Sequence, residues 1–255
     1  MISRDFLLEQ YKRVLAEQNK QYHLDLTTNS NCKEGGILLV GINPSGEPEG
    51  INAIPHEHEY EECKTKRFWY PKHYMMGVEE QIYNYDKRCA YIDLIPVTTK
   101  DQNQLKHYLD SENSMMGALL SYTQDYIEAL SPRLIIYANS MTGLWGLDKK
   151  EKKNNSLEKC RNYTNVWMGY DFELADSPLK GHEDKGDWRF YQITGIIPSG
   201  VNRERTDTNL KGTYFLRYGQ HNTKRGQIPI RKRLTPNDIK NIVEWIDPEW
   251  AKGLL

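Results

Sequence analysis

The sequence lacks the patterns that mark several large classes of protein. Its four cysteines are scattered through 255 residues without a C-x-x-C pair, which argues against a zinc ribbon and an iron–sulfur cluster. Neither G-x-x-x-x-G-K-[ST] nor G-x-G-x-x-G occurs, so nucleotide-binding enzymes of those two types are disfavoured. No apolar run reaches the length of a membrane span, and residues 1–18 carry charges where a signal peptide needs an apolar stretch. These absences predict a cytoplasmic protein that uses no membrane and whose cysteines are buried, reduced thiols.

The composition is that of a folded chain, but its charge is unevenly distributed. Hydrophobic residues make up 38% and charged residues 27%, as is typical of globular rather than disordered proteins. The net charge is −1, yet residues 203–233 hold nine lysines and arginines against two acidic residues, so this segment carries +7 and the remainder −8. Aromatic rings and a histidine lie among the basic residues: Tyr214, Phe215, Tyr218 and His221. Such a strip is typical of a surface that binds phosphates and stacks on single-stranded bases, and a solvated loop is the alternative.

Two short apolar runs end in the same tripeptide, Pro-Ser-Gly. Ile37-Leu38-Leu39-Val40 leads into Gly41-Ile42-Asn43-Pro44-Ser45-Gly46, and Tyr191-Gln192-Ile193-Thr194 leads into Gly195-Ile196-Ile197-Pro198-Ser199-Gly200. Apolar runs of this length with proline and glycine stop signals predict buried strands. In an open α/β sheet, ligands bind beyond the carboxyl ends of the strands, so the two loops would face one crevice. Two ordinary strand-to-helix turns are the alternative.

Strands and helices alternate along the chain, which predicts a layered α/β sheet. The pattern predicts strands at 37–40, 89–97, 133–138 and 191–197, of which the run at 191–197 is expected to be the last core strand. It predicts helices at 3–19, at 114–130 and from about 236, where Thr235 and Pro236 suit the N-cap and the first helical position. No composition break marks a domain boundary. We therefore expect one domain over residues 1–255, with a basic insertion at about 203–233.

The order of several motifs resembles the uracil-DNA glycosylase superfamily, and its mismatch-specific branch most closely. The first motif of that branch is matched by Gly41-Ile42-Asn43-Pro44 and the second by Ile197-Pro198-Ser199-Gly200. Between them the branch has an Arg-Phe-Trp, matched by Arg67-Phe68-Trp69, and two looser matches cover residues 94–99 and 133–138. All five occur in the order of the family and together span most of the chain.

The resemblance implies both a fold and an activity. The implied fold is a three-layer α/β/α sandwich around a central, mostly parallel four-stranded sheet. The implied protein is a DNA-repair hydrolase that flips uracil or another damaged base out of DNA and hydrolyses its N-glycosidic bond. No metal or other cofactor takes part in this chemistry. DNA, single- or double-stranded, is the expected partner.

The same resemblance assigns roles to individual residues. Asn43 would be the catalytic residue and would position a water near the sugar. An amide cannot deprotonate that water, so such a site relies on placement and electrostatics, and slow turnover is expected. A turn residue that bonds its own backbone is the other interpretation of Asn43. Tyr60 would stack on the flipped base. The other substrate-binding residues would be Gly41, Ile42, Pro44, Asn139 and Ile197, and the DNA-binding residues Pro198, Ser199, Gly200, Asn202, Arg203 and Arg205.

Two features depart from the family pattern. The second motif normally begins with His or Asn, which donates a hydrogen bond to the departing base, whereas Ile197 has no side-chain donor; loss of one such donor removes about 3–4 kcal/mol of transition-state stabilisation in other enzymes. Asn139 could substitute for that donor, or could simply cap its strand. Residues 47–62 hold six glutamates beside the expected cleft, where they would repel phosphates. The alternative function is a non-catalytic protein that binds nucleic acid, a nucleotide or a protein partner in the same crevice.

A metal site is a further alternative. His56 and His58 would lie on one face of an extended segment, with Cys63 nearby, and two such histidines can share a metal ion. No second cluster of ligands completes the site in the sequence. A solvated loop rich in histidine and glutamate is the simpler interpretation, so no metal is expected.

Overall fold

The structure is a computed structural model that describes twelve stretches of the chain, and the account below concerns those residues. They are 2–27, 34–44, 54–56, 75, 89–137, 139, 141–147, 166–179, 187–197, 201, 204–219 and 234–254. The helices are α1 (Arg4–Glu17), α2 (Gln102–Ser111), α3 (Asn113–Leu130), α4 (Pro236–Ile246) and α5 (Pro248–Leu254), with a short 3₁₀ turn at Thr142–Leu144. The strands are β1 (Asp25–Thr27), β2 (Ile37–Gly41), β3 (Ile54–His56), β4 (Cys89–Asp93), β5 (Leu134–Tyr137), β6 (Tyr170–Leu174), β7 (Asp187–Ile196) and β8 (Tyr214–Gly219).

Six of these strands form one sheet in the order β4-β2-β5-β8-β7-β6. Strands β4, β2, β5 and β8 run parallel to one another, whereas β7 runs antiparallel to both β8 and β6. Strands β1 and β3 form a separate parallel pair. The expected α/β class with a mostly parallel sheet is confirmed, and the sheet has six strands where four were expected.

Strand β8 corrects the interpretation of the basic segment. The run at 191–197 was expected to be the last core strand and residues 203–233 an insertion, but β8 lies inside that segment and occupies the sheet between β5 and β7. Phe215 and Tyr218 have exposed fractions of 0% and 1%, so they belong to the core and cannot stack on bases. Tyr214 stacks on Phe190 with their ring centroids 5.2 Å apart.

Helices cover both faces of the sheet. Alternate residues of β2 face opposite sides: Leu38 and Val40 join a core with residues of α1, α2 and α3, whereas Ile37 and Leu39 join a core with residues of α4 and α5. Because both faces are buried, the strand is an unbroken apolar run rather than an alternating one. Each fully buried leucine of this kind stabilises the fold by roughly 1.5–3 kcal/mol.

The last two helices are fixed by their caps. Thr235 and Asp238 form a capping box at the start of α4, in which each side chain accepts a hydrogen bond from the other residue's backbone N–H. Asp247 accepts hydrogen bonds from the backbone N–H groups of Glu249 at 2.9 Å and Trp250 at 3.1 Å, at the start of α5. Its carboxylate also lies 2.8 Å from the guanidinium of Arg133, just before β5. The cap therefore joins α5 to the sheet.

We expect the Asp247 cap to contribute a pH-dependent part of the stability. The hydrogen bond from the Trp250 amide is the largest influence that lowers the pKa of Asp247, with burial acting against it. A carboxyl whose pKa is lowered on folding stabilises the protein above its unfolded pKa of about 3.9, and that contribution disappears as the pH falls through the folded value. Asp247→Ala should therefore melt below wild type at pH 7, by a margin that narrows below about pH 4. Asp247→Asn retains a capping oxygen without the charge and should melt between the two. Melting curves followed by circular dichroism from pH 7 to 2.5 measure the difference in melting temperature between wild type and each variant. If the difference between wild type and Asp247→Ala does not change with pH, the lowered pKa of Asp247 does not contribute to stability.

Candidate functional site

The loops that follow β2 and β4 stay paired beyond the sheet. In the register of the two strands, Gly41 lies opposite Asp93. Past that point, the backbone N–H groups of Leu94 and Ile95 donate to the carbonyls of Gly41 and Ile42, at 3.3 and 2.8 Å. Further along, the N–H of Thr99 donates to the carbonyl of Pro44 at 3.2 Å. The predicted motif 41–44 is therefore a rigid rim at the carboxyl ends of two neighbouring parallel strands.

Asn43 is held on this rim through its amide nitrogen. Nδ2 donates to the carbonyl of Pro44 at 2.8 Å, the carbonyl of Val97 at 3.1 Å and the hydroxyl oxygen of Thr99 at 2.7 Å. Two amide protons shared among three acceptors leave the nitrogen nothing further to donate. The amide oxygen accepts no hydrogen bond from the described part of the chain, and the residue is half-buried. Asn43 is thus the expected turn residue and also presents a fixed acceptor.

Polar side chains end or follow each of the four parallel strands. Asp93 closes β4 and is 5% exposed, Asn43 follows β2, and Asn139 follows β5 and is 7% exposed. Arg217 lies near the end of β8, opposite Tyr137 of β5. Because these strands are adjacent in the sheet, the four side chains lie along one edge, where ligands of open α/β sheets bind. Asn139 had been predicted to bind substrate or to cap its strand; its Oδ1 accepts a 3.4 Å hydrogen bond from the Met141 N–H, as a cap would.

Tyr137 lies between the two charged residues of this edge. Burial raises the pKa of its hydroxyl well above the ordinary value, the charge of Asp93 adds to that rise, and Arg217 opposes it. The hydroxyl donates to the carbonyl of Met141 at 3.0 Å. The ring therefore stays neutral at physiological pH and cannot serve as a general base.

A second tyrosine, Tyr11, is linked by hydrogen bonds to the loop after β4. The hydroxyl groups of Tyr11 and Thr123 share a hydrogen bond of 2.6 Å, and Thr123 also donates to the carbonyl of Leu94 at 2.9 Å. Burial raises the pKa of Tyr11, while the hydrogen bond to Thr123 acts against the rise. This buried chain fixes the loop after β4 to α1 and α3.

The second Pro-Ser-Gly loop does not share this edge. Strand β7 is antiparallel to β8, Gln192 lies opposite Tyr214, the first residue of β8, and the last residues of β7 extend past that point. Ile197 therefore leaves the sheet where β8 begins, and the prediction that both loops leave one edge of a parallel sheet is wrong. The N–H of Ile197 donates to the carbonyl of Gly169 at 2.7 Å, and that of Val201 to the carbonyl of Trp167 at 2.7 Å. The predicted site residues Tyr60, Pro198, Ser199, Gly200, Asn202 and Arg203 lie outside the described residues.

Arg205, a predicted DNA-binding residue, is bound to α3. Its guanidinium pairs with Asp125 and lies 3.6 Å from Glu128. Glu128 is 6% exposed, and its carboxylate also accepts hydrogen bonds from the Tyr170 hydroxyl at 2.8 Å and the Thr208 hydroxyl at 2.7 Å. Desolvation raises the pKa of Asp125, and the charge of Arg205 opposes that rise. These contacts fix residues 205–208 against the helix, and the DNA contact of Arg205 stays a prediction.

No individual role was predicted from the sequence for Asp93 or Arg217, and Thr99 was included only as the end of the loose match 94–99. Asp93 offered one signal, as the single acidic residue inside the apolar run Cys89–Val97. Arg217 offered none, since it lies among many other basic residues. Only the strand order brings these residues to the edge that holds Asn43.

The described residues also bear on metal binding and on membrane insertion. No group of three or more His, Cys, Asp or Glu side chains in the described stretches could hold a metal ion. The alternative site at His56 and His58 is not decided by this, because His58 and the side chain of His56 lie outside what the structure describes. None of the described helices has the length and apolar character needed to cross a bilayer.

The chain was compared with known proteins at the level of families, sequences and folds. Against models of known families, curated proteins and solved structures, it matches none of them.

Proposed function

We propose that this protein is a metal-independent N-glycosyl hydrolase that acts on uracil or another damaged base in DNA at the carboxyl edge of β4, β2, β5 and β8. In this proposal the sheet and its two helical layers form a glycosylase-like α/β/α sandwich. The flipped base and its sugar lie against the rim 41–44. The proposal depends chiefly on one observation, which is the fixed orientation of the Asn43 amide.

That orientation suits the placement of a water. An amide whose nitrogen is fully engaged can only accept further hydrogen bonds through its oxygen. A water that donates one proton to Oδ1 has its oxygen lone pairs directed away from the amide, towards the sugar carbon that the base leaves. Because Asn43 is held by two backbone carbonyls and a buried hydroxyl, it needs no reorganisation at the moment of reaction.

The rest of the edge supports a polar ligand with an anionic part. Arg217 provides a positive charge at the β8 end of the edge, and Asp93 provides a negative one at the β4 end; strands β2 and β5 lie between them. A nucleotide unit has a neutral base with polar atoms and a negatively charged phosphate, so it complements an edge with opposite charges at its ends.

A second candidate is a binding protein without chemistry. It is favoured by the path of β7, which takes Ile197 away from the edge that holds Asn43 and removes the wall that the second motif would have formed. The described edge also contains no histidine that could donate to a departing base. In this case a nucleic acid, a nucleotide or a protein partner occupies the same edge and leaves unchanged.

Release of bases from defined oligonucleotides separates the two candidates. Single-stranded and duplex oligonucleotides with uracil, hypoxanthine or a mismatch are incubated with protein, and abasic sites are then cleaved with alkali. We expect release by wild type and a loss of about 100-fold or more in Asn43→Ala, since removal of a preorganised polar group at a reacting centre has effects of this size. Asn237→Ala changes an exposed asparagine at the start of α4 and should retain full release. Salt-dependent binding without release by wild type would favour the second candidate, and undiminished release by Asn43→Ala would place the reaction elsewhere.

A further inference from the structure

We propose that Thr99 is a positioning residue that sets the orientation of the Asn43 amide through a relay anchored on α2. The inference rests on the proposed function, because it concerns the same water-binding oxygen. It gives a role to a buried hydroxyl at the end of the loose match 94–99, to which the resemblance assigned none.

The direction of the relay follows from the number of protons available. Thr99 is 1% exposed, and its hydroxyl oxygen lies 2.7 Å from Nδ2 of Asn43, the shortest of the three contacts of that nitrogen. The same hydroxyl donates to the carbonyl of Asp101 at 3.1 Å. A hydroxyl has one proton and two acceptor lone pairs. Because the proton is used on Asp101, the oxygen can only accept from Asn43, so the amide nitrogen must face it.

Thr99 also holds the backbone on which Asn43 rests. Its N–H donates to the carbonyl of Pro44, and that carbonyl is itself an acceptor of Asn43 Nδ2. The other two acceptors of Nδ2 are backbone carbonyls, so Thr99 supplies the side-chain contact among the three. A substitution of Thr99 can therefore change the orientation of the Asn43 amide while Asn43 itself stays in place.

The far end of the relay is fixed by the start of a helix. The side chain of Asp101 accepts hydrogen bonds from the N–H groups of Asn103 at 2.8 Å and Gln104 at 2.9 Å, as the N-cap of α2. Gln104 in turn accepts from the N–H of Lys100 at 2.8 Å. The carbonyl that receives the Thr99 proton thus belongs to a residue held on both sides. A continuous line of hydrogen bonds runs from α2 through Thr99 to the amide.

The relay has a consequence for the reaction. Without the hydroxyl, the amide keeps its contacts to the carbonyls of Pro44 and Val97 and samples a wider range of orientations, so its oxygen is less often aligned with the water. Substrate binding does not depend on that alignment, whereas the chemical step does. A defect in Thr99 should therefore lower the rate of base release and leave the affinity for DNA unchanged.

Three variants at this position test the proposal in single-turnover base release. Thr99→Val is isosteric and removes the hydroxyl, and we expect it to release base about tenfold more slowly with an unchanged half-saturating DNA concentration. Thr99→Ser restores the hydroxyl and should regain most of the rate. If Thr99→Val does not fold, the smaller Thr99→Ala takes its place. Equal rates for valine and wild type, or a serine variant as slow as valine, would overturn the proposal.

A second readout is independent of activity. In protein labelled with ¹⁵N-asparagine, the side-chain amide signal of Asn43 is the one lost in Asn43→Ala. Slow exchange of its protons with solvent is expected in wild type and Thr99→Ser, and faster exchange in Thr99→Val. Unchanged exchange in Thr99→Val would overturn the relay. If wild type releases no base from any oligonucleotide, the proposed function fails, and the exchange data still decide whether Thr99 orients Asn43.

Discussion

Asn43→Asp is expected to melt well below wild type and to release no base, although an aspartate is the stronger general base. The reason is the nature of its three neighbours, since Pro44 and Val97 offer carbonyl oxygens and the Thr99 hydroxyl has already used its proton. A carboxylate cannot donate to any of them and would be repelled by two. The carbonyl of Pro44 keeps its hydrogen bond from the Thr99 N–H, so two buried acceptors are left unsatisfied. At about 1–3 kcal/mol for each of them, a loss of roughly 3–5 kcal/mol is expected. In a chain of this size, that corresponds to a fall of about 10 °C or more in melting temperature.

The matched control for this experiment is Asn237→Asp. That residue is exposed in the first turn of α4, where a negative charge is favourable, so the control should melt at or slightly above the wild-type temperature. Thermal unfolding followed by circular dichroism at pH 7 gives both values. The deficit of Asn43→Asp should shrink as the pH falls towards about 4, because the two carbonyls raise the pKa of the half-buried carboxyl and its protonated form regains one donor. An aspartate variant as stable as wild type and faster in base release would show that the contacts of Nδ2 do not hold the rim.

Gly146→Ala is expected to destabilise the protein by about 4 kcal/mol. Gly146 has a φ of +101°, and a Cβ built on it lies 2.5 Å from the carbonyl oxygen of Tyr170 and 3.1 Å from the ring of Trp167. Backbone strain at a positive φ costs about 1–3 kcal/mol for residues other than glycine, and overpacking adds roughly 1–3 kcal/mol. The carbonyl cannot move away easily, since Tyr170 also begins β6 and its N–H is bound to the carbonyl of Trp145.

Gly143→Ala serves as the control in the same turn. It lies three residues earlier, has no positive φ, and its added Cβ meets no atom within 4 Å. Urea denaturation should show that variant within about 1 kcal/mol of wild type, with the same m-value. Equal losses for the two glycines would mean that the turn, rather than the contact with Tyr170, limits stability.

Strand positions could be predicted from the sequence, but strand direction could not. The runs around β2, β4 and β5 are buried at every position and apolar apart from Asp93, because both faces of the sheet are covered, and that pattern is visible in the residues themselves. However, an apolar run does not indicate in which direction its strand crosses the sheet. A parallel pair needs a crossover, usually helical, and no helix lies in the described part of the connection between β7 and β8. The direction of β7 was therefore predicted wrongly.

Strand β8 was not predicted because of the basic residues around it in the sequence. Its sequence, Tyr-Phe-Leu-Arg-Tyr-Gly, is as β-prone as any other in the chain, but it lies in a segment with a charge of +7, and that charge suggested a surface. Arg217 is half-buried on this strand, and its charge is felt by Tyr137 on the next one. The charge of the surrounding segment thus led to the prediction of a surface, although residues 214–219 form a strand inside the sheet.

The candidate site was predictable at Asn43 and Asn139, each of which follows a predicted strand. The motif 41–44 marked Asn43. One of its two interpretations was a turn residue that bonds its own backbone, and the hydrogen bond from Nδ2 to the carbonyl of Pro44 is of that kind. Its contacts to Val97 and Thr99 join residues more than fifty positions apart. They depend on β2 and β4 being parallel neighbours, which is a property of the topology rather than of either segment.

The place of β8 in the sheet also bears on how the chain is completed during synthesis. Because β8 lies between β5 and β7, the two halves of the sheet have no direct strand contact until residues 214–219 have been made. A nascent chain that ends before Tyr214 would expose two hydrogen-bonding edges at once, one on each half, and such edges invite pairing with other chains. The joining of the two halves of the sheet is thus a late event, and it also delivers Arg217 to its position.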